Sequence, residues 1–84
     1  MAKFVAWQVV YYQKIFKFIK KIDNNNQQNL KYYFEKIATH HNPRKFAKRL
    51  KGKYNRLWLY NCSNFKIICK IDQERMLIVV LDIL

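Results

Sequence analysis

Residues 57–83, LWLYNCSNFKIICKIDQERMLIVVLDI, decide the fold. Three runs rich in β-branched and aromatic residues, Leu57 to Asn61, Phe65 to Ile71 and Met76 to Ile83, are separated by the turn formers Cys62-Ser63-Asn64 and Asp72-Gln73-Glu74, the pattern of antiparallel hairpins. In the middle run Phe65, Ile67, Cys69 and Ile71 alternate with Lys66, Ile68 and Lys70. One face of that strand therefore turns to a core, and the other presents two lysines. The last run does not alternate. Apolar on both faces, it is expected either inside the sheet or under cover from a partner or a further segment.

Working back toward the N-terminus, Phe4 to Tyr12 reads as a first strand, with Val5, Trp7, Val9, Val10 and Tyr11 around a polar Gln8. Ile15, Phe18, Ile19 and Ile22 follow at helical spacing, with Lys14, Lys17, Lys20 and Lys21 between them. The tract Asp23 to Asn26 breaks this helix, because Asp and Asn favour turns and N-caps. A second helix is expected from about Asn26 to His40, its inward stripe formed by Leu30, Tyr33, Phe34 and Ile37. Asn42 and Pro43 end it. Pro43 can itself open a brief helical piece running through Leu50, and Gly52, the only glycine, closes the segment. The order β-α-α-β-β-β makes an α+β domain spanning residues 1–84, with two N-terminal helices packed on one face of a mostly antiparallel sheet.

At 84 residues, 51% of them hydrophobic and 17% aromatic, the chain has the apolar content to fold but only a small core. A partner is the expected means of covering it. Seventeen Lys and Arg against five Asp and Glu give a net charge of +12, a field that attracts polyanions. Arg44, Lys45, Lys48, Arg49, Lys51, Lys53 and Arg56 lie in a stretch with no acid, which points to nucleic acid rather than to a merely solvated surface. With no secretory signal ahead of them, Cys62 and Cys69 are read as reduced thiols of a cytoplasmic protein. No metal site is expected: His40 and His41 are adjacent and diverge on a helix, and no Cys or acidic cluster completes a ligand set. No cofactor is expected either. The longest apolar run, Met76 to Leu81, is too short to span a membrane.

The phrases Ala6-Trp7-Gln8-Val9, Ile19-Lys20-Lys21-Ile22-Asp23, Asn42-Pro43-Arg44-Lys45-Phe46, Arg49-Leu50-Lys51-Gly52, Arg56-Leu57-Trp58-Leu59-Tyr60 and Asn64 to Asp72 together resemble the RelE/ParE toxin superfamily along nearly the whole chain. The resemblance implies a toxin of a toxin–antitoxin system, neutralised by a cognate antitoxin in a hetero-oligomer. A RelE-like member would be a metal-independent endoribonuclease that cuts messenger RNA on the ribosome. The alternative is a binding-only protein, either a ParE-like inhibitor of DNA gyrase or a degenerate RelE-like toxin that still binds antitoxin. Two positions depart from the family pattern, Asn61 and Lys66, where many RelE-like chains carry arginine. Relatives usually also continue past Asp82-Ile83-Leu84 with a Gly-His-Arg type phrase and a tyrosine-bearing end.

Lys66 is the first candidate for contact with the reacting phosphate, since it faces away from the core set and stands where the family has an arginine. Arg49 and Lys51 join it as the catalytic group, placed to position phosphates rather than to donate protons. Arg44, Lys45, Lys48, Lys53, Arg56, Tyr60 and Asn61 are the expected RNA-binding set. Trp58 and Tyr60 either stack on a base or belong to the core, with Tyr54 a weaker case of the same kind. Tyr32, Tyr33 and Phe34 are read as helix packing or antitoxin contact.

Overall fold

The computed structural model describes residues 7–84; the start of the expected first strand, at residues 4–6, lies outside them. Strand β1, Gln8–Tyr11, leads into helix α1, Gln13–Lys21, and helix α2, Asn24–Thr39. Ile15 is the buried residue of α1, and Lys20 and Lys21 sit in its last turn, where positive charge suits the helix dipole. Asp23 precedes α2 with its carboxylate accepting from Asn26 Nδ2 at 2.6 Å, so the helix begins two residues before the expected Asn26. It ends at Thr39, whose hydroxyl donates to the Glu35 carbonyl at 2.8 Å, and His40 is already extended.

The segment after Pro43 departs from expectation. Only Pro43–Phe46 is helical, as a 3₁₀ turn, and Ala47–Arg49 form strand β2 rather than a continuation of that turn to Leu50. The reason is tertiary. Strand β3, Trp58–Cys62, has a free edge, and backbone pairing of Ala47 with Tyr60, Lys48 with Leu59 and Arg49 with Trp58 overrides the weak local preference of an Ala-Lys-Arg triplet. Leu50 N–H adds one more bond, to the Leu57 carbonyl, before Gly52 turns the chain at φ 72°.

Strands β4, Phe65–Asp72, and β5, Leu77–Ile83, complete a five-stranded sheet of order β1-β5-β4-β3-β2. All neighbours are antiparallel except β1 and β5, which run parallel. The β-α-α-β-β-β order is therefore present, with β2 added at an edge. The apolar β5 is interior, between β1 and β4, which accounts for its missing alternation. Between Ile68 and Cys69 the register shifts, pairing Ile68 with Asp82 and Cys69 with Val80, so Leu81 is the extra residue of a bulge.

The helices cover one face of the sheet. Leu30, Phe34 and Ile37 of α2 and Ile15 of α1 pack with Tyr60, Ile67, Cys69, Ile78 and Val80, all buried. Cys62 and Cys69 are both free and buried in this layer. Cys69 pairs with Trp58, four residues from Cys62, or ~13 Å along the ladder at strand rise, beyond the reach of a disulfide. Among the described residues no helix is long and apolar enough to cross a membrane.

Candidate nucleic-acid interface

Because strand side chains alternate and directly paired residues share a face, the registers divide the basic residues between the two sides of the sheet. Lys66 pairs with Asn61, and both are exposed on the side that the helices leave open. Lys48 reaches the same side through its pairing with Leu59, diagonal to Asn61. Lys70, two residues beyond Ile68, adds a third lysine to this side. The sequence had not singled out Lys70 as a site residue, although its place in the alternation with Lys66 gave the signal. Around these groups lie the half-buried Leu59, Ile68, Leu77, Val79 and Leu81. A carboxylate is also present. Asp82 pairs with Ile68 and so stands on the open side diagonal to Lys66 and Lys70, its Oδ1 accepting from the Ile83 N–H at 2.9 Å.

This arrangement suits a phosphodiester. Three ammonium groups on a partly apolar surface have the charge to attract such a backbone, and Asn61 offers an amide donor opposite Lys66. An ammonium beside the phosphate would also stabilise charge that develops during attack by the neighbouring 2′-hydroxyl. Asp82 is a carboxylate on this side able to accept a proton.

Arg49 is not part of that face. It pairs with Trp58 on the helix-covered side, with its guanidinium 5.9 Å from the Trp58 ring centre and its Nε donating to the Asn55 carbonyl at 2.7 Å. Arg44, in the Pro43–Phe46 turn, reaches the same indole at 5.8 Å and donates to Gln73 Oε1 at 2.7 Å. Along the ladder, the level of Arg49 and Trp58 is three residues, or ~10 Å, from Lys66. Lys51, Lys53 and Arg56 are exposed in the β2–β3 connection at that far end, where Lys53 lies 5.1 Å from the Tyr54 ring centre, and Lys45 is exposed in the 3₁₀ turn. The structure thus brings together Lys48, Asn61 and Lys66, and separates them from Arg44, Arg49 and Lys51.

Tyr60 needs correction: it is no surface RNA contact. It is fully buried, edge-on to Tyr33 with ring centres 6.0 Å apart, and its hydroxyl donates to the Pro43 carbonyl at 2.9 Å. An aromatic of this size on β3 fills the space between sheet and α2, and its hydrogen bond anchors the turn that carries Arg44. The titrating groups displaced from their ordinary values belong to this covered side too. Burial pushes the Cys69 thiol up to about 12. Burial, then the neighbouring Cys69, raises the Tyr60 and Tyr11 phenols, and burial raises Tyr33 and Cys62. These shifts mark desolvation in the core and, for the part-exposed Tyr11, at its margin, not acid–base machinery.

His40 and His41 stack with ring centres 4.5 Å apart, and His40 Nδ1 accepts from the Asn42 N–H at 2.9 Å, which braces the chain between α2 and the 3₁₀ turn. No group of three or more His, Cys, Asp or Glu suited to a metal ion occurs among the described residues. Beside the edge strand β1, Trp7, Val9, Tyr11, Ile19, Leu30 and Phe34 line a groove of about 800 Å³. Tyr11, Tyr12 and Phe16 are exposed where β1 meets α1.

Neither a protein-family model nor a curated protein matches the sequence. Solved structures do. The crystal structure of the toxin–antitoxin complex RelBE2 from Mycobacterium tuberculosis is similar over 94% of this chain and 96% of that one, at a TM-score of 0.79 and 15% identity. The archaeal RelE–RelB complex from Pyrococcus horikoshii is similar over 93% of this chain and 92% of that one, at a TM-score of 0.72 and 17% identity. At these identities the likeness is one of fold: two helices on a five-stranded sheet, the fold of RelE.

Proposed function

We propose that this chain, with the RelE fold and an open sheet face of lysines, is the toxin of a toxin–antitoxin pair and acts in the cytoplasm by cutting messenger RNA on the ribosome. The observation that carries the reading is the convergence of Lys48, Asn61, Lys66 and Lys70 from three strands onto the side the helices leave bare. Cleavage by the RNA's own 2′-hydroxyl asks the protein to hold the nucleotide in line and to stabilise the phosphate's growing charge. Lys66 takes the second task, Asn61 and Lys48 orient the backbone, and Asp82 takes the 2′-hydroxyl proton as O2′ bonds to phosphorus; the P–O5′ bond breaks, water protonates the departing 5′ oxygen, and a 2′,3′-cyclic phosphate remains. The ribosome would supply the message already ordered for in-line attack.

A cognate antitoxin is the proposed partner, in a hetero-oligomer, as in the RelBE2 and RelE–RelB complexes of like fold. The outer edge of β1, unpaired among the described residues, the apolar groove beside it, and exposed Tyr11, Tyr12 and Phe16 give it apolar surface to bury.

One observation favours a second reading. No arginine stands on the open side of strands β2 to β5, and a lysine lacks the planar fork that grips two phosphate oxygens, so the face is better built to bind than to cut. The binding-only alternative, a gyrase inhibitor or a toxin without cleavage, follows from that. Inducing the chain alone and mapping messenger 5′ ends separates the two. New ends confined to translated codons support cleavage on the ribosome. Growth arrest with intact messages points to gyrase, and no arrest to a protein that only binds its antitoxin.

A further inference from the structure

Arg44 and Arg49 come from different elements, a 3₁₀ turn and the edge strand β2, yet both guanidiniums lie within 6 Å of the ring centre of one residue, Trp58, at 5.8 and 5.9 Å. Each is already oriented by one hydrogen bond to a neutral acceptor, Gln73 Oε1 for Arg44 and the Asn55 carbonyl for Arg49, both at 2.7 Å. These bonds leave most of each guanidinium's five N–H donors available. No acidic residue occurs in the sequence between Glu35 and Asp72, and Asp72 is paired with Arg75 at 3.3 Å. Two like charges gathered around one half-buried indole and bonded to neutral acceptors, with the exposed Glu74 next to Gln73 as the carboxylate beside that contact, gain from an anion placed between them. The side chains lose little freedom when that anion arrives, because packing and hydrogen bonds already hold them.

We propose that Arg44, Trp58 and Arg49 form a second RNA contact, a clamp for one phosphodiester at the β2 edge, on the side of the sheet opposite Lys66. It rests on the reading of the chain as RNA-directed but not on cleavage. A single strand crossing the open face at Lys66 reaches the clamp by passing around β2, an edge strand of only three residues. The clamp thereby fixes the strand a few nucleotides from the reacting position. It also gives a role to the guanidiniums that the open face lacks, since a bidentate donor suits holding a phosphate firmly.

The test is a titration of the isolated, intact chain with a short uridine oligonucleotide, followed by tryptophan fluorescence. Trp58 is half-exposed at the clamp and Trp7 is buried elsewhere. The clamp gives a saturable change in emission that Trp58→Phe abolishes and inorganic phosphate at the same concentration does not reproduce. Arg44→Gln with Arg49→Gln weakens binding about tenfold or more and lowers the salt slope by about 0.7, the share of one phosphate on a single strand. Lys17→Gln, which removes an exposed charge from α1 on neither RNA contact, leaves the Trp58 signal and the affinity in place. Unchanged affinity in the double arginine variant, with or without a fall in its urea midpoint, makes the cluster a structural clasp and overturns the proposal. Equal response to inorganic phosphate, or an equal loss of affinity in Lys17→Gln, which would make the binding a matter of net charge alone, overturns it as well. Messages left uncut in cells would remove the cleavage reading without touching this outcome, so the two failures are distinguishable.

Discussion

Tyr60 and Asn61 are adjacent on β3, yet the first is fully buried with its hydroxyl on the Pro43 carbonyl, while the second is exposed opposite Lys66. The same division runs across β4, where Ile67 and Cys69 are buried and Lys66 and Lys70 are exposed. One side of the sheet carries the fold, and the other is free to carry charge. For Tyr60, Asn61 and the residues of β4, parity on the strand therefore separates positions whose substitution is expected to affect stability from those that bear on the proposed RNA contact.

The sharpest way to break that comparison is to truncate the two neighbours. Tyr60→Ala is expected to cost about 3–5 kcal/mol in urea unfolding, as for other large buried aromatics. Tyr60→Phe, which leaves the Pro43 carbonyl without its donor, costs about 1–2 kcal/mol. Asn61→Ala stays within about 0.5 kcal/mol. Comparable losses at both positions would mean that the open side is packed after all.

Alkaline pH tests the covered side as a whole. In the unfolded chain the Cys69 thiol titrates near its ordinary 9.0 and the Tyr60 phenol near 10.0, whereas the fold raises both, Cys69 to about 12. The native state then holds more protons than the unfolded state. The stability involved is fully present below pH 9 and is lost as pH rises through 9 and 10 toward 12, at a slope on the order of 1 kcal/mol per pH unit for each group. Urea midpoints measured from pH 7 to 11 should fall from about pH 9, and Cys69→Ala should remove the earlier part of the fall. A flat profile would contradict the burial of both groups.

The open side should give the opposite pattern, with a smaller effect seen only with ligand. Lys48→Ala combined with Lys66→Ala should leave the unfolding free energy in urea within about 0.5 kcal/mol and reduce affinity for a single-stranded RNA about tenfold, with a shallower salt dependence. An unchanged salt slope would remove both lysines from the phosphate contacts.

Much of this division is legible in the sequence. The alternation of Phe65, Ile67 and Cys69 with Lys66 and Lys70 states which side of β4 is buried, and the unbroken apolar run at β5 marks an interior strand. Strand β2 was not legible. Ala47-Lys48-Arg49 has no β-branched or aromatic residue, and only the free edge of β3 makes it a strand. Without β2 the sides of Lys48 and Arg49 cannot be assigned, and the sequence alone places Arg49 with Lys66, from which the sheet separates it. Tyr60 was ambiguous for a different reason. A strand aromatic serves equally as a stacking platform or a core residue until the element above it, here Tyr33 and Pro43, is known.

Single-turnover cleavage on programmed ribosomes at saturating protein, for the parent, Lys66→Ala and Lys66→Arg, bears most directly on the central claim that the open side acts on the RNA backbone. The account predicts that Lys66→Ala slows cleavage more than it weakens binding, and that Lys66→Arg speeds it, on the order of tenfold, by offering a fork in place of a point charge. Cleavage by Lys66→Ala at the parent's rate would contradict it.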